Sequence, residues 1–158
     1  ENFLRAREAV IASDDYRQAK GMELDDIATL LNEEKYQEAR KMILEYMPRL
    51  YLSPRVHAYA SLATKGLAGT PDGKMGDDPD KELQNMHNCL QGILSTGDGT
   101  KEKPYLVLRI DDEYDVLRRL DKEKLRQALV HHDGKPYDIL TCQDGTAIWF
   151  DISSFFGR

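Results

Sequence analysis

The stretch Ala128-Leu129-Val130-His131-His132-Asp133-Gly134-Lys135-Pro136-Tyr137-Asp138-Ile139-Leu140-Thr141-Cys142-Gln143-Asp144-Gly145-Thr146-Ala147-Ile148-Trp149-Phe150-Asp151-Ile152 decides the fold of the C-terminal half. Two Asp-Gly pairs, Asp133-Gly134 and Asp144-Gly145, separate three runs rich in β-branched and aromatic residues. Asp-Gly accepts the positive φ values of tight hairpin turns. The reading is a three-strand antiparallel meander with strands from Ala128 to His132, Tyr137 to Cys142 and Ala147 to Ile152. Tyr137 and Trp149 are expected to cover one face of it. Phe155 and Phe156 follow as a short apolar tail, set to dock on the core or to mark a partner contact.

Upstream of the meander, Tyr105-Leu106-Val107-Leu108-Arg109-Ile110 reads as a further strand, apolar on both faces as far as Arg109, which suggests a central position. Asp111-Asp112-Glu113 then places acids in the first turn of a helix, where the helix dipole favours them. Tyr114, Leu117 and Leu120 form the inner face of that helix.

The N-terminal half has a different period. Asn2 to Lys20 lacks Gly and Pro and reads as a helix ended by Gly21. Leu24, Ile27, Ala28 and Leu31 share one helical face, and Tyr36, Ala39, Ile43 and Met47 another. Pro48 stops or kinks that second helix, and Pro54 opens the next. Gly69, Pro71, Gly73 and Gly76 mark a loop, after which Asp78 caps a helix with Pro79 at its first position. Leu83, Met86, Leu90, Ile93 and Leu94 give that helix its apolar face, with His87 at the border of the core. The fold class is therefore α+β: N-terminal helical hairpins packed with a small C-terminal antiparallel four-stranded sheet and one helix. The expected parts are a helical part at 1–94, a connecting loop at 95–103 and an α+β part at 104–158.

The chain carries 22 basic and 28 acidic residues, a net charge of −6. Residues 67–99 hold six of the acids against two bases. Such a balance repels phosphate backbones, which argues against nucleic-acid binding and for a protein partner of basic character. Asp72, Asp77, Asp78, Asp80 and Glu82 are the candidate partner-binding residues. No apolar run is long enough to form a transmembrane helix. Cys89 and Cys142 can form one disulfide or remain two buried thiols, and the usual burial of free Cys favours thiols.

Motifs for chemistry are sparse. Gly92 and Gly97 have the spacing of a phosphate-binding loop, but Asp98 stands where Lys is required. Lys74 breaks the ligand order of a calcium loop counted from Asp72, so a solvated loop outweighs a weak cation site. His131 and His132 point to opposite faces of a strand and do not share a metal. No metal site and no cofactor is expected. His131, His132, Asp138 and Cys142 are the only catalytic candidates, and nothing in the sequence joins them into a constellation.

Two resemblances add to this reading. Leu30-Leu31, Tyr36-Gln37-Glu38-Ala39, Pro54 and Ala58-Tyr59-Ala60-Ser61-Leu62-Ala63 resemble a tetratricopeptide-type repeat over about one and a half units. From Lys81 to Ile152 the chain resembles a Bacteroidetes-type bacterial domain family of unknown function with a Thr-Gly-Asp-Gly box. The carrying residues are Leu94-Ser95-Thr96-Gly97-Asp98-Gly99-Thr100-Lys101, Pro104-Tyr105-Leu106-Val107, Asp112-Glu113-Tyr114-Asp115-Val116-Leu117, Gln127-Ala128-Leu129-Val130, Tyr137-Asp138-Ile139-Leu140 and Trp149-Phe150-Asp151-Ile152. Asp121 departs from the pattern, which leads one to expect Gly after Leu120. The resemblance implies a periplasmic or secreted bacterial protein, with a cytoplasmic one as the alternative, and transfers no catalytic or binding residue. The chain opens at Glu1 rather than Met, as expected of a processed or trimmed product.

The functional expectation is a non-enzymatic protein-interaction module. Its sharper alternative is an immunity protein that neutralises a secreted bacterial toxin through charge. A hydrolase with a site between the two parts is the enzymatic alternative. A scaffold that uses an exposed strand edge is a further one, and it requires a long uncovered edge beside Phe155 and Phe156.

Overall fold

The computed structural model describes residues 2–71 and 78–157. The chain forms two compact units: Ala6–Cys89, and the residues up to Arg5 together with those from Leu90 onward.

The first unit is helical. Helix α1 (Asn2–Ala12) does not continue to Lys20: it breaks at Ser13 and is followed by the short α2 (Asp14–Arg17). The Ser13 hydroxyl donates to the Val10 carbonyl at 2.7 Å and accepts from the Tyr16 N–H at 3.2 Å, so one side chain ends α1 and caps α2. Helices α3 (Glu23–Asn32), α4 (Tyr36–Leu50) and α5 (Pro54–Gly66) pack on one another. The expected faces bury Leu24 and Ile27 of α3, Ala39 and Ile43 of α4, and Val56 and Ala63 of α5. Each large side chain buried this way contributes about 1.5–3 kcal/mol. Pro48 does not stop α4, which runs on to Leu50. Ser53 caps α5 by accepting from the Val56 N–H at 3.2 Å, with Pro54 in the first turn. Between α3 and α4, Glu34 adopts the left-handed conformation (φ 59°), and the N–H of Lys35 reaches back to the Leu30 carbonyl at 2.9 Å. That is the closure a glycine normally provides at a helix end.

The second unit holds the sheet. Helix α6 (Pro79–Ser95) enters it from Leu90. Strands β1 (Tyr105–Leu106), β2 (Lys124–His132), β3 (Lys135–Cys142) and β4 (Ala147–Asp151) form one sheet in the order β1-β4-β3-β2. The meander is antiparallel as the Asp-Gly turns require, but the sheet is mixed, because β1 joins β4 in parallel. The run from Tyr105 to Ile110 is not a central strand. It contributes two residues at one edge and gives way to α7 (Ile110–Arg119). The turn is enforced by Asp112, whose Oδ2 accepts from the Leu108 N–H at 3.0 Å and removes that donor from any ladder.

Leu140, Cys142, Ile148 and Phe150 on the inner face of the sheet join Leu90, Ile93, Val116 and Leu117 in one core, with Phe3 and Phe155 packed at its margin. Tyr137 and Trp149 lie on the other face with their ring centroids 5.6 Å apart. At the end of α7, Asp121 takes the left-handed conformation (φ 56°), and the Lys122 N–H bonds the Leu117 carbonyl at 2.9 Å. Aspartate thus serves in the geometry where glycine is expected. Both cysteines are buried free thiols.

Candidate functional site

The Thr-Gly-Asp-Gly-Thr box is a structural turn. Asp98 Oδ1 accepts from the Thr100 N–H at 3.0 Å and from its hydroxyl at 2.6 Å. The Lys103 carbonyl accepts from the N–H groups of Asp98 and Gly99 at 2.9 and 3.0 Å. The Thr96 hydroxyl donates to the Ile93 carbonyl and accepts from the Leu106 N–H, which ties the end of α6 to β1. A Cβ on Gly97 would collide with the backbone oxygens of Lys103 and Pro104. The turn at Asp144-Gly145-Thr146 repeats the device, with Asp144 Oδ1 accepting from the Thr146 N–H and hydroxyl at 2.9 and 2.6 Å. These polar groups are satisfied by one another, so they are committed to the loop and not to a phosphate.

The acidic candidates divide. Asp72 and Asp77 lie outside the described residues. Asp78 caps α6 by accepting from the Asp80 N–H at 3.0 Å. Glu82 bonds Nδ1 of His57 at 2.8 Å, while Nε2 of the same ring donates to the Tyr51 carbonyl at 2.7 Å. His57 is buried, whereas His87, expected at the border of the core, is exposed. The signal for His57 was its place in a polar stripe, His57, Ser61 and Thr64, at one helical face; all three are buried.

The catalytic candidates are not brought together. His131 lies opposite Pro136 and Cys142 opposite Lys124, at the two ends of the β2–β3 ladder, about 20 Å apart. Cys142 is enclosed by the apolar core. His132 lies 3.3 Å from Asp133 in the hairpin turn, and the His131 ring packs against that of Phe156 with centroids 5.5 Å apart. Asp138 is buried against Glu113 of α7, which is itself only 1% exposed. Burial first, and then the hydrogen bond to Asp138, push the Glu113 carboxyl up to about 9, so it is a neutral donor near pH 7. Burial also raises neighbouring Asp112 to about 6, against the pull of Arg109 and the Leu108 N–H. Asp111, Asp112 and Glu113 open α7 as expected of a first turn, but the last two are buried. Glu113 in fact leads the inner stripe Glu113, Val116, Leu117 and Leu120 at helical spacing. Among the described residues no group of three His, Cys, Asp or Glu side chains could hold a metal ion. No helix of the described residues is long and apolar enough to cross a membrane.

One surface remains open for binding. Strand β2 is nine residues long, lies at the edge of the sheet and is exposed along nearly its whole length. Leu125 and Leu129 are 59% and 51% exposed. The two-residue turn at Asp133-Gly134 makes His132 and Lys135 a hydrogen-bonded pair, so Val130 and Ala128 also bond to β3. By alternation the main-chain groups of Gln127, Leu129 and His131 face away from β3. The Pro136 carbonyl bonding Ile152 on the β4 side agrees with this phase. Among the described residues, nothing pairs with that outer row.

Comparison with protein-family models, with curated proteins and with solved structures finds no match.

Proposed function

We propose that the protein is a non-enzymatic protein-interaction module that takes up an extended segment of a partner as a fifth strand along β2. The supporting observation is the nine-residue, exposed edge whose outward N–H and C=O groups have no ladder partner among the described residues. Main-chain pairing supplies affinity in this mode, and alternate side chains supply selectivity. His131 and Phe156 stand at one end of the edge, which gives the apolar tail a place beside it. The acidic α6 start is a weaker partner site, because Asp78 is engaged in capping and Glu82 is joined to His57.

The test is Leu129→Pro. Proline there removes an outward donor without taking a bond from β3, and edge strands tolerate it. Partner association should be lost with the fold intact by circular dichroism, and should survive neutralisation of Asp78 and Asp80. Association that ignores Leu129→Pro but fails on Asp78→Asn and Asp80→Asn overturns the edge reading.

A further inference from the structure

The charge on β2 runs against that of the chain. The protein has more acids than bases, yet β2 contains Lys124 and Arg126 and no acid. Lys124 donates to the Tyr114 hydroxyl at 3.1 Å and lies over the same ring, 5.4 Å from its centroid. Both contacts are with a neutral group. The carboxyl of nearby Glu113 is pushed up to about 9, chiefly by burial, against the pull of Lys124. Among the described residues Arg126 makes no ion pair. The register places Lys124 on the inner face, opposite Cys142, and Arg126 on the outer face, opposite Thr141, across the irregularity between them. Toward the other end the side chains are Leu129 and Val130, one on each face. The edge is thus cationic on both faces at one end and apolar on both faces at Leu129 and Val130, ahead of the closing His131 and His132.

We infer that the strand β2 accepts is an acid-bearing extended segment of another protein, with carboxylates beside Lys124 and Arg126 and apolar side chains beside Leu129 and Val130. This rests on the strand-addition reading. A second copy of the chain fits less well, because β2 itself contains no carboxylate to set against either cation. Opposite charges across neighbouring strands contribute favourably, and like charges oppose pairing. The competing role for such cations is to guard an edge against self-pairing.

The experiment follows the amide resonances of Gln127, Leu129 and His131 in the full chain during titration with synthetic peptides matched to β2 in length. The probe alternates Val and Thr in one half and carries Glu at successive positions in the other. Its counterparts replace Glu by Gln or by Lys, or carry N-methyl groups on alternate amides. The Glu peptide should shift the three amides and bind about two- to thirtyfold tighter than the Gln peptide, for two cross-strand charge pairs. Lys124→Gln with Arg126→Gln should erase that preference, and N-methylation should abolish binding. Equal binding of the Glu and Gln peptides, lost in Leu129→Pro, overturns the acidic partner but leaves strand addition standing. Absence of any shift up to millimolar peptide overturns both. Dimerisation through β2 on removal of the two cations, without peptide preference, overturns the inference in favour of an edge guard.

Discussion

The Glu113 side chain hydrogen-bonds that of Asp138, joining α7 to β3 inside the second unit. The pair lies beside Leu129, which the register places opposite Asp138. Glu113 is raised from 4.5 to about 9, so the folded protein binds a proton that the unfolded chain has released over that interval. Stability from this group is fully present below about pH 4.5 and is lost as pH rises through about 9. Glu113→Gln keeps an N–H donor for Asp138 and cannot ionise. Urea unfolding of this variant should show a flatter decline of stability between pH 5 and 9 than the parent, and a parallel decline in both would refute the shared proton.

Glu34 and Asp121 are held in the left-handed conformation at the ends of α3 and α7. Residues with a Cβ are strained there by about 1–2 kcal/mol, with Asp more tolerant than Glu. Glu34→Gly should stabilise by about 1 kcal/mol and Asp121→Gly by less, as a higher urea midpoint at unchanged m-value. A loss of stability at Glu34 would mean that its side chain contributes more than the strain removes.

Gly97 and Gly134 should respond differently to Ala. At Gly97 the new methyl meets fixed backbone oxygens, and the loop from Thr96 to Lys103 must move, costing about 3 kcal/mol. At Gly134 a Cβ meets nothing within 4 Å, and only the positive φ of 79° opposes it, at about 1–2 kcal/mol. Thermal unfolding of the two variants gives the comparison, and equal costs would show that the box is not tightly closed.

His57 couples the Tyr51 carbonyl to Glu82 through both ring nitrogens. His57→Ala should cost about 2–4 kcal/mol, from lost packing and an unsatisfied buried carbonyl. Glu82→Gln retains a partner for Nδ1, because an amide can donate or accept, and should cost about 1 kcal/mol or less. Similar losses in both would assign the effect to the charge of Glu82 and not to the ring.

The meander was legible because each turn depends on two adjacent residues, Asp133-Gly134 and Asp144-Gly145, whose backbone preferences are local. The helix faces of α3 to α5 were legible from periodicity, as Leu24, Ile27 and Ile43 show. The short β1 was not: Val107 and Leu108 have strand composition, but pairing with β4 fades at the Val107 N–H, which reaches the Asp151 carbonyl at 3.5 Å, and on the other edge Asp112, four residues on, takes the Leu108 N–H. The break at Ser13 was missed for a similar reason: a single hydroxyl outweighs a helical period. The edge was foreseen only as a condition, because strand order is set by tertiary pairing and not by composition. The burial of Glu113, His57 and Asp138 was hidden by residue type, since charged groups are expected outside unless paired.

The second unit is assembled from both ends of the described chain. Phe3 packs against the core formed by Leu90, Val116 and Phe150, and its ring occupies the space beside Gly92. The residues of Ala6–Cys89 are contiguous and rich in neighbouring-helix contacts, so this unit can fold while the rest of the chain is still being made. The opening segment must wait for β4, about 145 residues downstream, before its aromatic ring has a surface to seat on. Docking of Phe3 is therefore a late, loop-closing event, and the rate at which the ring becomes immobile reports completion of the sheet.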